Sequence, residues 1–432
     1  MSSESTSSKP FAGIRVVEFG QFVAVPYCGQ LLADGGADVI KVEALIGDSS
    51  RHILPLAPGE TRIFLARNRG KRPLPLALKH EQAGAVIDAL LHWADVALMN
   101  FRPGLAQSIG LDGTTLKRRF ARLVTATVTP FGHEGPDADL AGMDIVVQAR
   151  SGLMAAQGRI VDARPAPGEP VPADYMCAMT LGFGIASALF RRERTGEGGA
   201  VDVSLMHAAM ALANNQMVFP HAHDEERRRA ALDELSALRA GGAPYPEQLA
   251  AMQKAVMRPI TRIYYRTFEC ADKAIAVACG SVKLRKNFIA ALGLHDESLD
   301  VADVSGPKWD AHFAQLQERV EQAICCRSAA HWLKTLAAVG VPVSEVKMPL
   351  EMFDDEQALA NGMLYVQKHP RVGPITLLGT PVKLDDDGFA PALPTAPLGA
   401  ETRTILSDIG FDGGKIDELI ACGLTKEADN VL

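Results

Sequence analysis

A β-branched run, a turn, a helix signal, a glycine stop and a second β-branched run follow one another between residues 13 and 42. No other stretch restricts the fold as much. The first run, GIRVVEF at 13–19, and the second, ADVIKV at 37–42, have strand composition. Between them, segment 26–33 opens on Pro26 and is followed by Asp34, Gly35 and Gly36, the start and stop signals of a helix. Two strands joined through a helix run parallel, because a tight turn joins only antiparallel strands. The turn after the first strand, Gly20 to Val25, lacks the second and third glycines of a nicotinamide-binding fingerprint, which weakens a dehydrogenase reading.

The alternation continues for about two hundred residues, the length of an α/β domain. Helices are expected at 81–92, 114–120, 143–155 and 175–192, and strands at 94–100, 123–129 and 201–205. At His221 the pattern changes to a long charged helix, broken at Gly241-Gly242-Ala243-Pro244 and read as solvated. A hairpin at 264–271 and 274–279 and helices at 283–292, 311–326 and 329–338 follow. From residue 341 the chain is loop-rich, with short strands near Ile375 and Val382 and a last helix at 415–422. The expected architecture is α/β: a Rossmann-like doubly wound parallel sheet in a large domain, a smaller α+β domain, and a C-terminal return to the large domain. The boundaries are a large domain at 1–220, a helical linker at 221–262, a small domain at 263–345 and a return segment at 346–432.

Chemistry concentrates at Asp174. A Pro/Gly-rich loop carrying Pro165, Pro167, Gly168, Pro170 and Pro172 precedes it. An apolar run to Phe190 follows, then Arg191, Arg192 and Arg194, with Gly196 as the stop. The run is apolar nearly all round, so the helix is expected to be buried. Asp174 thus meets the positive end of a helix, where it has two readings. One is an N-cap that accepts orphan backbone N–H groups. The other is a carboxylate nucleophile, charged at neutral pH and in need of positioning more than activation. Gly182-Phe183-Gly184 within the run is read as a close-packing site, because no strand precedes it.

Composition removes several classes of function. A formal net charge of -7 argues against nucleic acid as a partner. No apolar run reaches bilayer-spanning length, and the N-terminal MSSESTSSKP reads as a disordered lead-in without a signal-peptide core. Seven scattered cysteines with no C-x-x-C indicate neither a metal site nor a disulfide framework, and imply a reducing, cytoplasmic setting.

Basic residues gather near strand ends. RIFLARNRGKR at 62–72 holds five and no acid, Lys79 follows, and Asn100-Phe101-Arg102-Pro103-Gly104 ends a strand at the edge where open α/β sheets bind ligands. A solvated face is the plain reading of such a run. A ligand with several phosphates, such as coenzyme A with Phe101 against its adenine, explains the features together.

Many blocks in one order resemble a known family, the class III CoA-transferases, with formyl-CoA transferase and α-methylacyl-CoA racemase among the relatives. They include GIRVVEFGQFVAVPYCGQLLADGGADVIKVE, GDSSR, NRGKR, ADVALMNFRPG, DIVVQARSGL, RRERTGEGGAVDVSL, YRTFECADKAIAVACG, GVPV and TAPLGAETRTIL. The resemblance runs from about Gly13 to the C-terminus, with a gap at 221–260. It implies that Asp174 is the catalytic residue. It also implies a covalent route through an aspartyl anhydride and an aspartyl-CoA thioester. Val23 and Ala24 would line the thiol arm of CoA, and Leu76, Lys79, Asn100, Phe101 and Arg102 its nucleotide end. CoA and acyl-CoA enter as substrates, with a carboxylic acid acceptor, no permanently bound cofactor and no metal. An interlocked homodimer is implied, with no membrane or nucleic-acid partner.

The sequence departs from the family pattern at Ala44, where some members carry Arg, and at Val23, where some carry Gln. Only Gly280-Ser281 stands where formyl-CoA transferase has a glycine-rich lid. An acyl-CoA racemase is the alternative. It uses a His before the helical Asp, and here that position is Met143, which cannot hold a proton. His133 is expected to be a loop residue, His207 a core histidine, and Asp144 a support for Asp174. A CoA-binding protein without turnover, with Asp174 as a cap, is the third reading.

Overall fold

The computed structural model describes residues 9–256, 261–304, 306–385 and 388–428. The polar lead-in at 1–8 lies outside the described residues. The chain forms two compact units, residues 1–219 with 356–432 and residues 220–355.

In the first unit, β1 (Arg15–Phe19), α1 (Ala24–Asp34) and β2 (Asp38–Glu43) build the expected opening. Next come β3 (Lys71–Pro75), α2 (Ala83–Trp93), β4 (Val96–Met99), α3 (Pro103–Ser108), α4 (Gly113–Arg119) and β5 (Val124–Thr129). Then α5 (Asp144–Ser151), α6 (Leu153–Gln157), α7 (Pro172–Thr195), β6 (Gly199–Ser204) and α8 (Leu205–Leu212) follow. The strands form one six-stranded sheet in the order β6-β5-β4-β1-β2-β3, and every neighbouring pair is parallel. This is a doubly wound sheet whose strand order reverses between β1 and β4.

Alternate residues feed two cores. Val16, Val39, Leu98 and Ala126 face α1, α7 and α8, whereas Val17, Ile40, Ala97 and Leu74 face α2. Because both faces are covered, these strands are continuous apolar runs rather than alternating ones. The helix expected at 143–155 is two helices, because Gly152 takes a left-handed φ of 85° between them.

The Asp174 helix α7 corrects two expectations. It is 24 residues long, three longer at each end than the segment read from the sequence, because Pro172 suits a first helical turn and Gly196 stops it in a left-handed conformation. By length and composition it is apolar enough to cross a bilayer, contrary to the reading that no run reaches that length. It is also not buried all round. Cys177, Leu181, Ile185 and Ala188 face the core, whereas Met179, Phe183 and Phe190 are exposed.

The second unit holds α9 (His221–Ala240), α10 (Tyr245–Val256), β7 (Tyr265–Glu269), β8 (Ala274–Ala278), α11 (Val282–Ala291), α12 (Pro307–Cys325), α13 (Ala329–Ala338) and β9 (Val343–Glu345). The strands pair antiparallel in the order β7-β8-β9. Phe268, Val277, Phe288, Phe313 and Leu336 share its core. The charged helix α9 has no buried residue, in keeping with a solvated face.

The return segment adds a short helix at Glu356–Ala360, a hairpin, β10 (Leu364–His369) and β11 (Gly373–Leu378), and the helices α14 (Thr402–Asp408) and α15 (Gly413–Ala421). Val382 lies outside any strand, and β10 and α14 were not read from the sequence. Ile405, Leu406, Ile416 and Leu419 join the α2 face of the sheet.

Candidate active site

Open α/β sheets bind ligands outside the carboxyl ends of the strands, where strand order reverses. Here that point lies between the segments that follow β1 and β4. Asn100 pins the two together: Gln21 N donates to its Oδ1 at 3.2 Å, and its Nδ2 donates to Gln21 O at 3.1 Å. A 90 Å³ cavity adjoins this pair, lined by Gln21, Phe22, Ala24, Asn100, Thr129, Pro130, Met143, Asp174 and Leu205, among others. A second cavity of 300 Å³ is lined by Gln21, Ala44, Leu76, Lys79, Phe101 and Leu105, among others. Gln21 lines both.

Asp174 is the third residue of α7, after Pro172 and Ala173, and the preceding Val171 has φ 44°. Left-handed backbone is costly for a β-branched residue. Phe22, which lines the cavity, is also left-handed, at φ 67°. One strained non-glycine residue thus lines this cavity and another precedes the helix that carries Asp174, a pattern found at functional sites.

Asp144, rather than Asp174, satisfies the helix start. It is 5 % exposed, and its Oδ1 accepts Ala173 N at 2.9 Å and Asp174 N at 3.1 Å. Such a cap is worth about 0.5–2 kcal/mol. Its Oδ2 accepts the Gln148 amide, and Gln148 also clasps Gly168, with its Nε2 3.0 Å from Gly168 O and its Oε1 2.8 Å from Gly168 N. One side chain network thereby fixes the Pro/Gly-rich loop and the first turn of α7. The Asp174 carboxylate accepts no hydrogen bond from the described residues.

This arrangement overturns two electrostatic expectations. The N–H groups assigned to Asp174 are taken by Asp144. Without them, burial pushes the Asp174 carboxyl up to about 7, the Asp144 charge adds to the rise, and Arg67 opposes it. The Asp174 carboxyl therefore keeps its proton to higher pH than a free carboxyl does.

The other residues singled out in the sequence separate. Ala24 and Asn100 line the Asp174 cavity, and Leu76, Lys79 and Phe101 the second cavity. Asn100 is committed to holding Gln21. Val23 is buried as the N-cap residue of α1, and Arg102 is exposed at the start of α3; neither lines these cavities.

The basic run at 62–72 is mostly internal rather than a phosphate surface. Arg69 grips Asp34 with two nitrogens, at 2.9 and 2.6 Å, and donates to Leu378 O of the return segment. Lys71 is buried against Glu18 at 2.8 Å, and burial pulls its ammonium down to about 8 while Glu18 opposes the fall. Arg72 reaches Asp38, Glu401 and Asp408. In GDSSR, Arg51 is buried against Glu43. Pairing with acids on α1, β1, β2 and the C-terminal segment holds Arg69, Lys71 and Arg72 within the fold, which a local reading does not show.

A third cavity of 740 Å³ carries Lys117, Arg118, His133 and Asp202, and it shares Thr129 with the Asp174 cavity and Phe101 with the second. His133 lies 3.0 Å from Asp202. His207 is exposed on α8 rather than in the core. Among the described residues no group of three His, Cys, Asp or Glu could hold a metal ion. Gln21, Phe22, Thr129, Pro130 and Leu205 carried no sequence signal; only the fold brings them to Asp174.

A doubly wound α/β unit with a bare carboxylate beside its switch point is the frame of this site. The chain belongs to CoA-transferase family III, which matches residues 11–402, and it is an enzyme of the CoA-transferase class. Cinnamoyl-CoA:phenyllactate CoA-transferase of Clostridium sporogenes is 28% identical, covering 95% of each chain. Acetyl-CoA:oxalate CoA-transferase of Acetobacter aceti is 30% identical, covering 91% of this chain and 95% of its own. The crystal structure of a CaiB/BaiF family protein from Brucella suis has a TM-score of 0.71 at 28% identity, covering 93% of this chain and 99% of its own.

Proposed function

We propose that the enzyme moves CoA from an acyl-CoA thioester to a carboxylic acid, with Asp174 as the covalent carrier. One observation carries this reading: Asp144 takes the helix amides, so the Asp174 carboxylate is left uncommitted and faces a cavity. An acid that served only as a cap would hold those amides itself.

The steps balance as follows. An ionised Asp174 oxygen attacks the donor thioester carbon, expels CoA thiolate and forms an acyl-aspartyl anhydride. The thiolate attacks the Asp174 carbonyl carbon, releases the donor carboxylate and leaves an aspartyl-CoA thioester. An acceptor carboxylate displaces the thiolate from Asp174 and forms a second anhydride. The thiolate then attacks the acceptor acyl carbon, gives the new acyl-CoA and restores the Asp174 carboxylate. Covalent catalysis divides one difficult displacement into easier ones. Leu76, Lys79 and Phe101 would hold the nucleotide end of CoA in the second cavity, and Gln21 and Ala24 would flank its thiol arm. Val23 and Arg102 are not assigned such contacts.

The proposed assembly is an interlocked homodimer. Phe183 and Phe190, 76 % and 67 % exposed on α7, support an apolar contact with a second chain. Seven free thiols support a reducing, cytoplasmic setting. Racemisation lacks a second proton carrier at the Met143 position. The test is exchange of isotope-labelled acids into their CoA thioesters. Wild type is expected to exchange at least one pair and Asp174→Ala none. Full exchange by Asp174→Ala would end the proposal.

A further inference from the structure

The wall of the Asp174 cavity bears on which acids the enzyme carries. Phe22, Ala24, Val128, Pro130, Met143 and Leu205 supply apolar surface. Of its polar side chains, Asn100 is spent on Gln21, and Thr129 Oγ1 accepts Gly132 N at 3.0 Å. Apart from Asp174 itself, only the Gln21 carboxamide among these side chains has no hydrogen-bond partner among the described residues. Among the described residues no Lys, Arg or His lines this cavity. Arg67, the cation that acts on Asp174, donates to Tyr175 Oη at 3.2 Å and lies 5.5 Å from its ring. Met143 stands 56 % exposed at the mouth, on the residue before Asp144.

Resting on the transferase reading, we infer that the acid exchanged at Asp174 is a monocarboxylate with an uncharged, apolar body, and that Met143 is a specificity-determining residue that contacts this body. A second carboxylate would enter a space that already holds Asp174 close to a buried Asp144, with no cation in its wall among the described residues. A buried charge without a partner is strongly disfavoured. A flexible thioether suits an alkyl or aryl group instead. The Gln21 amide is a free donor for the acyl oxygen.

The test measures exchange of each labelled acid with its own CoA thioester, using isobutyrate and 3-phenylpropionate against succinate and glutarate. Wild type is expected to favour the monocarboxylates by about tenfold or more in kcat/KM. Met143→Arg is expected to narrow that ratio by about tenfold, and Met143→Leu to preserve it. Equal or faster exchange of either dicarboxylate by wild type, or an unchanged ratio in Met143→Arg, would overturn the inference. Exchange of no acid at all, with no adduct on Asp174, would sink the transferase reading beneath it.

Discussion

Two carboxylates thirty residues apart divide the work that a local reading gives to one. Asp144 holds the helix amides, and Asp174 is left with a raised affinity for protons. The sign of the pH dependence follows. The nucleophile is the ionised form, so kcat/KM should fall about tenfold per pH unit below the Asp174 pKa of about 7 and level off above it. Asp144→Asn removes the neighbouring charge while keeping an oxygen for the Ala173 and Asp174 amides. Its acid limb should therefore move to lower pH, measurable in a pH–rate profile of thioester exchange. An unmoved limb would show that burial alone sets the Asp174 carboxyl. Asp174 was legible because prolines, an apolar run and terminal arginines mark the helix around it. Asp144 was expected to support Asp174, but its capping of the helix amides was not legible, since no local pattern joins residues from separate helices.

At the scale of elements, the helix of Pro172–Thr195 shows where periodicity misleads. Its composition is apolar on every side, but a helix can bury only the side that meets the sheet, and Phe183 and Phe190 are left outside. The two glycines inside it differ in the same way. A Cβ at Gly184 would lie 2.5 Å from Val201 Cγ1 on β6, whereas one at Gly182 would meet only Cys28 Sγ, at 3.9 Å. Gly184→Ala should therefore destabilise the fold by about 1–3 kcal/mol, as overpacking does. Gly182→Ala should be neutral or stabilise by up to about 1 kcal/mol through helix propensity. Chemical denaturation of the two variants checks both signs.

For the whole molecule, the β-α-β opening and the alternation that continues from it pointed to a doubly wound parallel sheet, because strand spacing and crossover length are local properties. The tie between the basic run and the far C-terminus was not legible. Arg72 reaches Glu401 and Asp408, and Arg69 reaches Leu378, contacts that span some three hundred residues. The exposed face of the Asp174 helix makes a prediction at this scale. Light scattering coupled to gel filtration should give twice the 46.2 kDa chain mass, and dilution should not readily dissociate an interlocked pair. A species at the single-chain mass across micromolar concentrations would contradict the proposed assembly.

The most direct measurement follows the Asp174 carbonyl itself. The protein is incubated with an acyl-CoA panel, treated with hydroxylamine and mapped by peptide mass. The expected product is a hydroxamate on the peptide that carries Asp174, formed only with a productive acyl-CoA and absent from Asp174→Ala. Exchange that proceeds while that peptide stays unmodified would contradict the covalent role of Asp174.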